Sequence, residues 1–176
     1  KEYVKFDHIC KHTPFESDEL QHAFQNLLQI YGMTPATNGN TFDLITNDTD
    51  AYRKMLNEID QAKHSIDICT YVFKFDKTTK EIIDALTKKS REGVKVRLLM
   101  DLVGSLGANI SQKGFKALRE AGGEVAFFTP ILKRPFQNYI NLINHRKIYL
   151  FDQTTLLSGG MNLSEEYMGE ADGTNR

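Results

Sequence analysis

The chain has 176 residues, 40% of them hydrophobic and 26% charged, which is enough to close one ordinary globular core and too balanced for a disordered or fibrous chain. Lys plus Arg number 22 against 23 for Asp plus Glu, so a net charge of -1 supplies no general attraction for a phosphate backbone, and any phosphate site has to be local. Cys10 and Cys69 are the only cysteines, too few for a disulfide-built scaffold, and no apolar run of about 18 residues or export leader occurs, so the segment reads as soluble and at home in a reduced or indifferent compartment.

In chain order, Phe24, Leu27, Leu28 and Tyr31 follow helical spacing from Leu20 until Gly32 and Pro35 stop it, which makes residues 1–35 an N-terminal helical extension. Residues 41–46 read as a short strand. Tyr52, Met55, Leu56, Ile59 and Ala62 predict a second helix with Asp48 as its cap. An alternation follows: a strand over 65–73, a helix over 78–92, a strand over 94–100, a helix over 112–121 and a strand over 124–128. Strands separated by helices of this length predict an α/β fold, a mixed sheet flanked by helices. Residues 129–144, with Pro130 and Pro135, break the rhythm as a long loop of the kind that carries function. Strands resume over 146–152 and 155–158, and a last helix starts at Ser164 with Glu165 and Glu166 at its positive end. The polar end from Glu170 and the opening at Lys1 rather than Met read as a piece of something longer.

The chemistry concentrates between Asn144 and Asn162. His145, Lys147 and Asp152 form H-x-K-x4-D, followed by Gly159-Gly160-Met161-Asn162. On a strand, residues two apart share a face, so His145 and Lys147 project together while Ile148 and Leu150 face the other way. A two-residue hairpin at Gln153 and Thr154 would set Gly160 opposite Lys147 and Asn162 opposite His145, although the tip lacks the usual glycine. Such a pocket suits a phosphodiester. Lys147 and the Asn162 amide hold nonbridging oxygens, Gly159 and Gly160 admit the substrate to the backbone, and His145 attacks phosphorus. Asp152 lies at an odd offset from His145, so it faces away and either orients a histidine from elsewhere or braces the turn.

These residues resemble the HKD signature of the phospholipase D superfamily. N-H-R-K, G-G-x-N and the closing Glu165-Glu166-Tyr167-Met168-Gly169 are similar to bacterial cardiolipin synthases in particular, as is the upstream order of Ile59-Asp60-Gln61-Ala62-Lys63, the stretch from Tyr71 to Asp76, Gly93-Val94-Lys95-Val96-Arg97 and Asp101-Leu102-Val103-Gly104-Ser105. The resemblance implies that residues 36–176 are a phospholipase D-like catalytic half domain with one HKD motif. It implies a phosphatidyltransferase working through a phosphohistidine at His145, with Lys147 and Asp152 in the catalytic motif, or else a phosphodiesterase hydrolysing phospholipids, or a nuclease acting as a single-motif dimer. It implies phospholipid substrates, a membrane surface at the bacterial inner membrane or its cytoplasmic face, and no cofactor or metal. Nucleic acid is the less expected partner. The general acid and base of such a reaction sits in a second HKD motif, and no second H-x-K-x4-D occurs in this chain, so a second half of the same polypeptide or a homodimer partner is expected to supply it.

Three weaker signals remain. His8, Cys10 and His12 alternate like metal ligands, yet three ligands so spaced crowd one side of an ion, and a polar terminal segment is the better reading. Lys133, Arg134, Arg146 and Lys147 lie among Phe127, Phe128, Ile131, Leu132, Phe136, Tyr139 and Ile140, which suits a lipid-facing lip or ordinary core, and the same lip could instead grip nucleic acid. Asp101, ending its strand before a glycine-containing turn, either lines a ligand crevice or only shapes that turn.

Overall fold

The computed structural model describes residues 18–34, 39–128 and 143–168. Two compact units divide the chain, Lys1–Leu44 and Ile45–Arg176. In the first, α1 (Asp18–Ile30) carries the expected helical stripe, and its Phe24, Leu27 and Ile30 are solvent-exposed. Residues 41–46 form no strand. Among the described residues their alternation finds no pairing partner, Phe42 is 85% exposed, and an unpaired extended segment has no ladder to hold it.

The second unit begins with α2 (Asp48–Gln61). Its cap is Asn47 rather than Asp48, because Asn47 sits in extended backbone and its side chain accepts from the Asp50 N–H. β1 (Ser65–Thr70) is followed by α3 (Lys77–Arg91), closed at its start by a capping box in which Asp76 and Thr79 exchange side-chain and backbone hydrogen bonds. β2 (Lys95–Asp101) leads into α4 (Leu106–Ile110), a short helix that no sequence periodicity announces. The helix expected over 112–121 is a 3-10 turn (Gln112–Phe115) running into α5 (Lys116–Glu120). Gly114 belongs to that turn for a packing reason, since a Cβ there would come within 2.2 Å of the Phe75 ring. β3 (Glu124–Phe128), β4 (Ile148–Phe151), β5 (Thr155–Ser158) and α6 (Glu165–Met168) complete the unit.

The sheet is mixed, with order β3-β2-β1-β4-β5. β1, β2 and β3 run parallel, while β4 pairs antiparallel with both β1 and β5. Period-two burial places Ile66 and Ile68 of β1, Val96, Leu98 and Met100 of β2, and Tyr149 and Phe151 of β4 in one core with Met55, Ile59, Ile82, Leu86, Phe115 and Leu118 from the helical side. The opposite face of the same strands carries Asp67, Arg97 and Leu150, with Asp67 and Arg97 joined by a two-point ion pair. Because β4 lies beside β1 and runs against it, the beginning of β4 and the end of β1 meet at one end of the sheet. Among the described residues no helix is long and apolar enough to cross a membrane.

Candidate active site

The segment entering β4 is anchored by its neighbours before any functional group is considered. Asn144, itself buried, donates its backbone N–H to the Asp101 carboxylate at 2.8 Å and its side-chain amide to Cys69 Sγ at 3.3 Å. Asp101 is 2% exposed and also accepts from the N–H groups of Val103 and Gly104. It therefore shapes its own turn and, through Asn144, fixes the backbone next to His145; the sequence suggested the turn role but not the second tie.

His145 and Lys147 precede the regular strand, yet they converge as strand spacing predicts. The Lys147 Nζ lies 3.0 Å from His145 Nε2 and donates to the His145 carbonyl at 3.0 Å. Lys147 is only 5% exposed, and burial alone pushes its ammonium below the ordinary lysine pKa, with no carboxylate beside it to compensate among the described residues. His145 is exposed. The ring of Tyr71, at the end of β1, stands 4.6 Å from the imidazole centroid to centroid, and the Lys147 ammonium lies 5.4 Å from the centre of the same ring.

Asn162 is 3% exposed, and its Oδ1 accepts from the Val72 N–H at 3.1 Å. The chain stays tied there, with Leu163 N–H donating to the Val72 carbonyl and Lys74 N–H to the Leu163 carbonyl. That arrangement turns the Asn162 NH2 away from Val72. Gly159 and Gly160 are exposed, neither adopts positive φ, and a Cβ built on either meets nothing within 4 Å. Nothing in the fold demands glycine at these two positions. Beside them lies a largely apolar pocket of about 110 Å³ whose walls include Met55, Tyr149, Met161 and Met168. Tyr149 donates its hydroxyl to the Met161 carbonyl at 2.8 Å.

The hairpin register differs from the expected one. Phe151 pairs with Thr155 and Ile148 with Ser158, so three residues, Asp152 to Thr154, lie outside the ladder. Continued past Ile148, this register sets Gly159 rather than Gly160 opposite Lys147, and Met161 rather than Asn162 opposite His145. The reason is local: Asp152 and Gln153 both take positive φ, 49° and 61°, and Thr154 N–H closes the turn onto the Phe151 carbonyl, leaving Thr154 as one extra residue. Asp152 stands at the opposite end of β4 from His145. Its carboxylate accepts from the N–H groups of Lys63, His64 and Ser65 at 2.9, 2.7 and 2.9 Å. Those bonds, Ser65's foremost, draw its pKa down to about 2. The structure thus brings together His145, Lys147 and Tyr71, and sets Asp152 apart. The His8-Cys10-His12 alternation and the lip residues 131–140 lie outside the described residues.

Comparison with known proteins gives a consistent result. The family model described as cardiolipin synthase, PLD-like domain, matches residues 55–174. The major cardiolipin synthase of Bacillus subtilis is 41% identical over 133 residues, covering 76% of this chain and 27% of that protein. Cardiolipin synthase 1 of Bacillus anthracis is 37% identical over 146 residues, 82% of this chain and 28% of that protein. The chain therefore spans little more than a quarter of the length of these relatives. Among solved structures, the phospholipase D family member Nuc from Salmonella typhimurium superposes with a TM-score of 0.53 at 24% identity, covering 68% of this chain and 69% of that one. NucT from Helicobacter pylori gives 0.52 at 19% identity, covering 68% and 70%. The two superpositions establish a phospholipase D-like fold.

Proposed function

The chain belongs to the cardiolipin synthase, phospholipase D-like domain family, and on that premise we propose that it supplies half of the active site of a phosphatidyltransferase, with His145 as nucleophile and Lys147 as phosphate clamp. The observation that carries this reading is a buried ammonium with no anion beside it among the described residues, hydrogen-bonded to an exposed imidazole. A buried cation without a counter-ion is costly unless an anionic ligand completes it. A phosphodiester is such a ligand.

Lys147 donates to Nε2, which assigns the imidazole proton to Nδ1 and leaves Nε2 as the acceptor. An incoming nonbridging oxygen takes over the ammonium's hydrogen bond and frees the Nε2 lone pair. Nε2 then attacks phosphorus, a P–N bond forms, and the P–O bond to the departing alcohol breaks. The Asn162 NH2 holds a second nonbridging oxygen, and the open space over Gly159 and Gly160 receives the phosphoryl group. The departing alkoxide takes its proton from an acid outside this chain's motif, from a second HKD half of the same polypeptide or from a homodimer partner. The same group then accepts the proton of the second alcohol, which attacks phosphorus and releases His145. With phosphatidylglycerol as donor and acceptor the products are cardiolipin and glycerol. With water as acceptor the same intermediate yields phospholipid hydrolysis. Both substrates lie in a bilayer, so the working protein meets a membrane surface, and no cofactor enters the chemistry.

The test is phosphatidyl transfer by the protein that carries this chain, in detergent micelles containing phosphatidylglycerol. His145→Gln is expected to abolish transfer with the fold intact. Transfer at the unsubstituted rate would overturn the assignment.

A further inference from the structure

Tyr71 opens a stretch that carries the family resemblance but was given no role there, and its backbone and ring are held by contacts to Ser105, Gly104, His145 and Lys147. Its carbonyl accepts from Ser105 Oγ at 2.9 Å, and the same hydroxyl oxygen accepts from the Phe73 N–H at 2.9 Å, so the chain leaving β1 is pinned to the turn after β2. Gly104 packs directly against it: a Cβ at that position would lie 2.4 Å from the Tyr71 carbonyl oxygen and 2.9 Å from ring carbon Cδ2. Only glycine leaves room for the ring there. The ring also meets the His145 imidazole at 4.6 Å, tilted by 58°, and the Lys147 ammonium sits within cation–π range at 5.4 Å. Tyr71 is only partly buried and stands apart from the hydrophobic core. Among the described residues its hydroxyl makes no hydrogen bond.

An exposed imidazole on irregular backbone is otherwise free to rotate about two side-chain torsions, and an ammonium on a four-carbon stem about more. We propose that Tyr71 is a positioning residue whose ring, seated against Gly104, holds His145 and Lys147 in their facing geometry for attack on phosphorus. This rests on the assignment of His145 and Lys147 as the phosphoryl-transfer pair. The ring acts through its faces, so the phenol oxygen is dispensable, and the glycine at 104, in a turn remote in sequence from the motif, is part of the device.

The experiment measures kcat and KM for phosphatidyl transfer by the protein carrying this chain, with Tyr71→Phe, Tyr71→Leu and His145→Gln in parallel. Tyr71→Phe is expected within about threefold of the unsubstituted kcat, while Tyr71→Leu loses about 10- to 100-fold in kcat at little-changed KM, the scale of a misplaced reacting group. A second readout, independent of turnover and of how well Tyr71→Leu folds, is the nuclear Overhauser contact between the His145 and Tyr71 ring protons of the unsubstituted protein, which is expected to be present. Unsubstituted kcat in Tyr71→Leu alongside an inactive His145→Gln would overturn the positioning role. So would an absent ring contact, or an equal loss in Tyr71→Phe, which would assign the role to the hydroxyl. Full activity in His145→Gln would instead overturn the underlying assignment.

Discussion

At the scale of single residues, the proposed phosphate clamp would trade stability for binding. Lys147 holds its charge out of water, and two hydrogen bonds to His145 return only part of the hydration it gives up. Lys147→Ala is therefore expected to lower transfer by about 10² to 10³, the cost of losing one preorganised charge-stabilising group, without lowering the melting temperature. A large fall in melting temperature would contradict the clamp role. Gly160→Ala serves as its counterpart: a methyl that meets no protein atom leaves the melting temperature unchanged and reduces turnover by occupying the substrate's space. The local spacing of H-x-K made the convergence of His145 and Lys147 legible in the sequence, because strand periodicity needs no knowledge of the fold. Tyr71 was illegible for the converse reason. Its nearness to His145 depends on β1 and β4 being sheet neighbours, which nothing in either segment encodes.

Among the elements, the β4–β5 hairpin shows how one turn governs a register. Two non-glycine residues at positive φ cost free energy, though Asp tolerates the left-handed region better than most. The three amide bonds to the Asp152 carboxylate offset that cost and fasten the turn to the α2–β1 connection. With a folded pKa near 2 against the ordinary 3.8, the carboxylate binds protons less readily in the folded chain than in the unfolded one. Its stabilisation is thus complete above about pH 4 and is lost as pH falls from there toward 2. Asp152→Asn is expected to lower the melting temperature at pH 7, with the gap to the unsubstituted chain closing toward pH 2. A gap that is constant with pH would contradict the brace. The core strands and α2 and α3 could be read from periodicity, with ends shifted by at most three positions, while the cap of α2 fell one residue from the expected Asp48. The register could not, since a turn of Asp, Gln and Thr carries no glycine to declare its length. Nor could the break at Gly114, which answers to Phe75 from another part of the chain.

For the whole molecule, the limiting fact is stoichiometric. On the proposed mechanism the single HKD motif of this chain would supply one histidine nucleophile, and the reaction would need a second group to protonate the leaving alkoxide and later deprotonate the acceptor. The chain spans about a quarter of the length of its cardiolipin synthase relatives, and alone it is expected to bind phosphate near Lys147 without turning phospholipid over unless two copies pair across the motif. The most direct test of the central claim is a rapid-quench single turnover by the protein carrying this chain, using phosphatidylglycerol labelled in its phosphate, followed by peptide mapping. An acid-labile phosphatidyl adduct on the peptide containing His145, absent in His145→Gln, is the predicted result. Label on another residue with none on His145, during productive turnover, would contradict it.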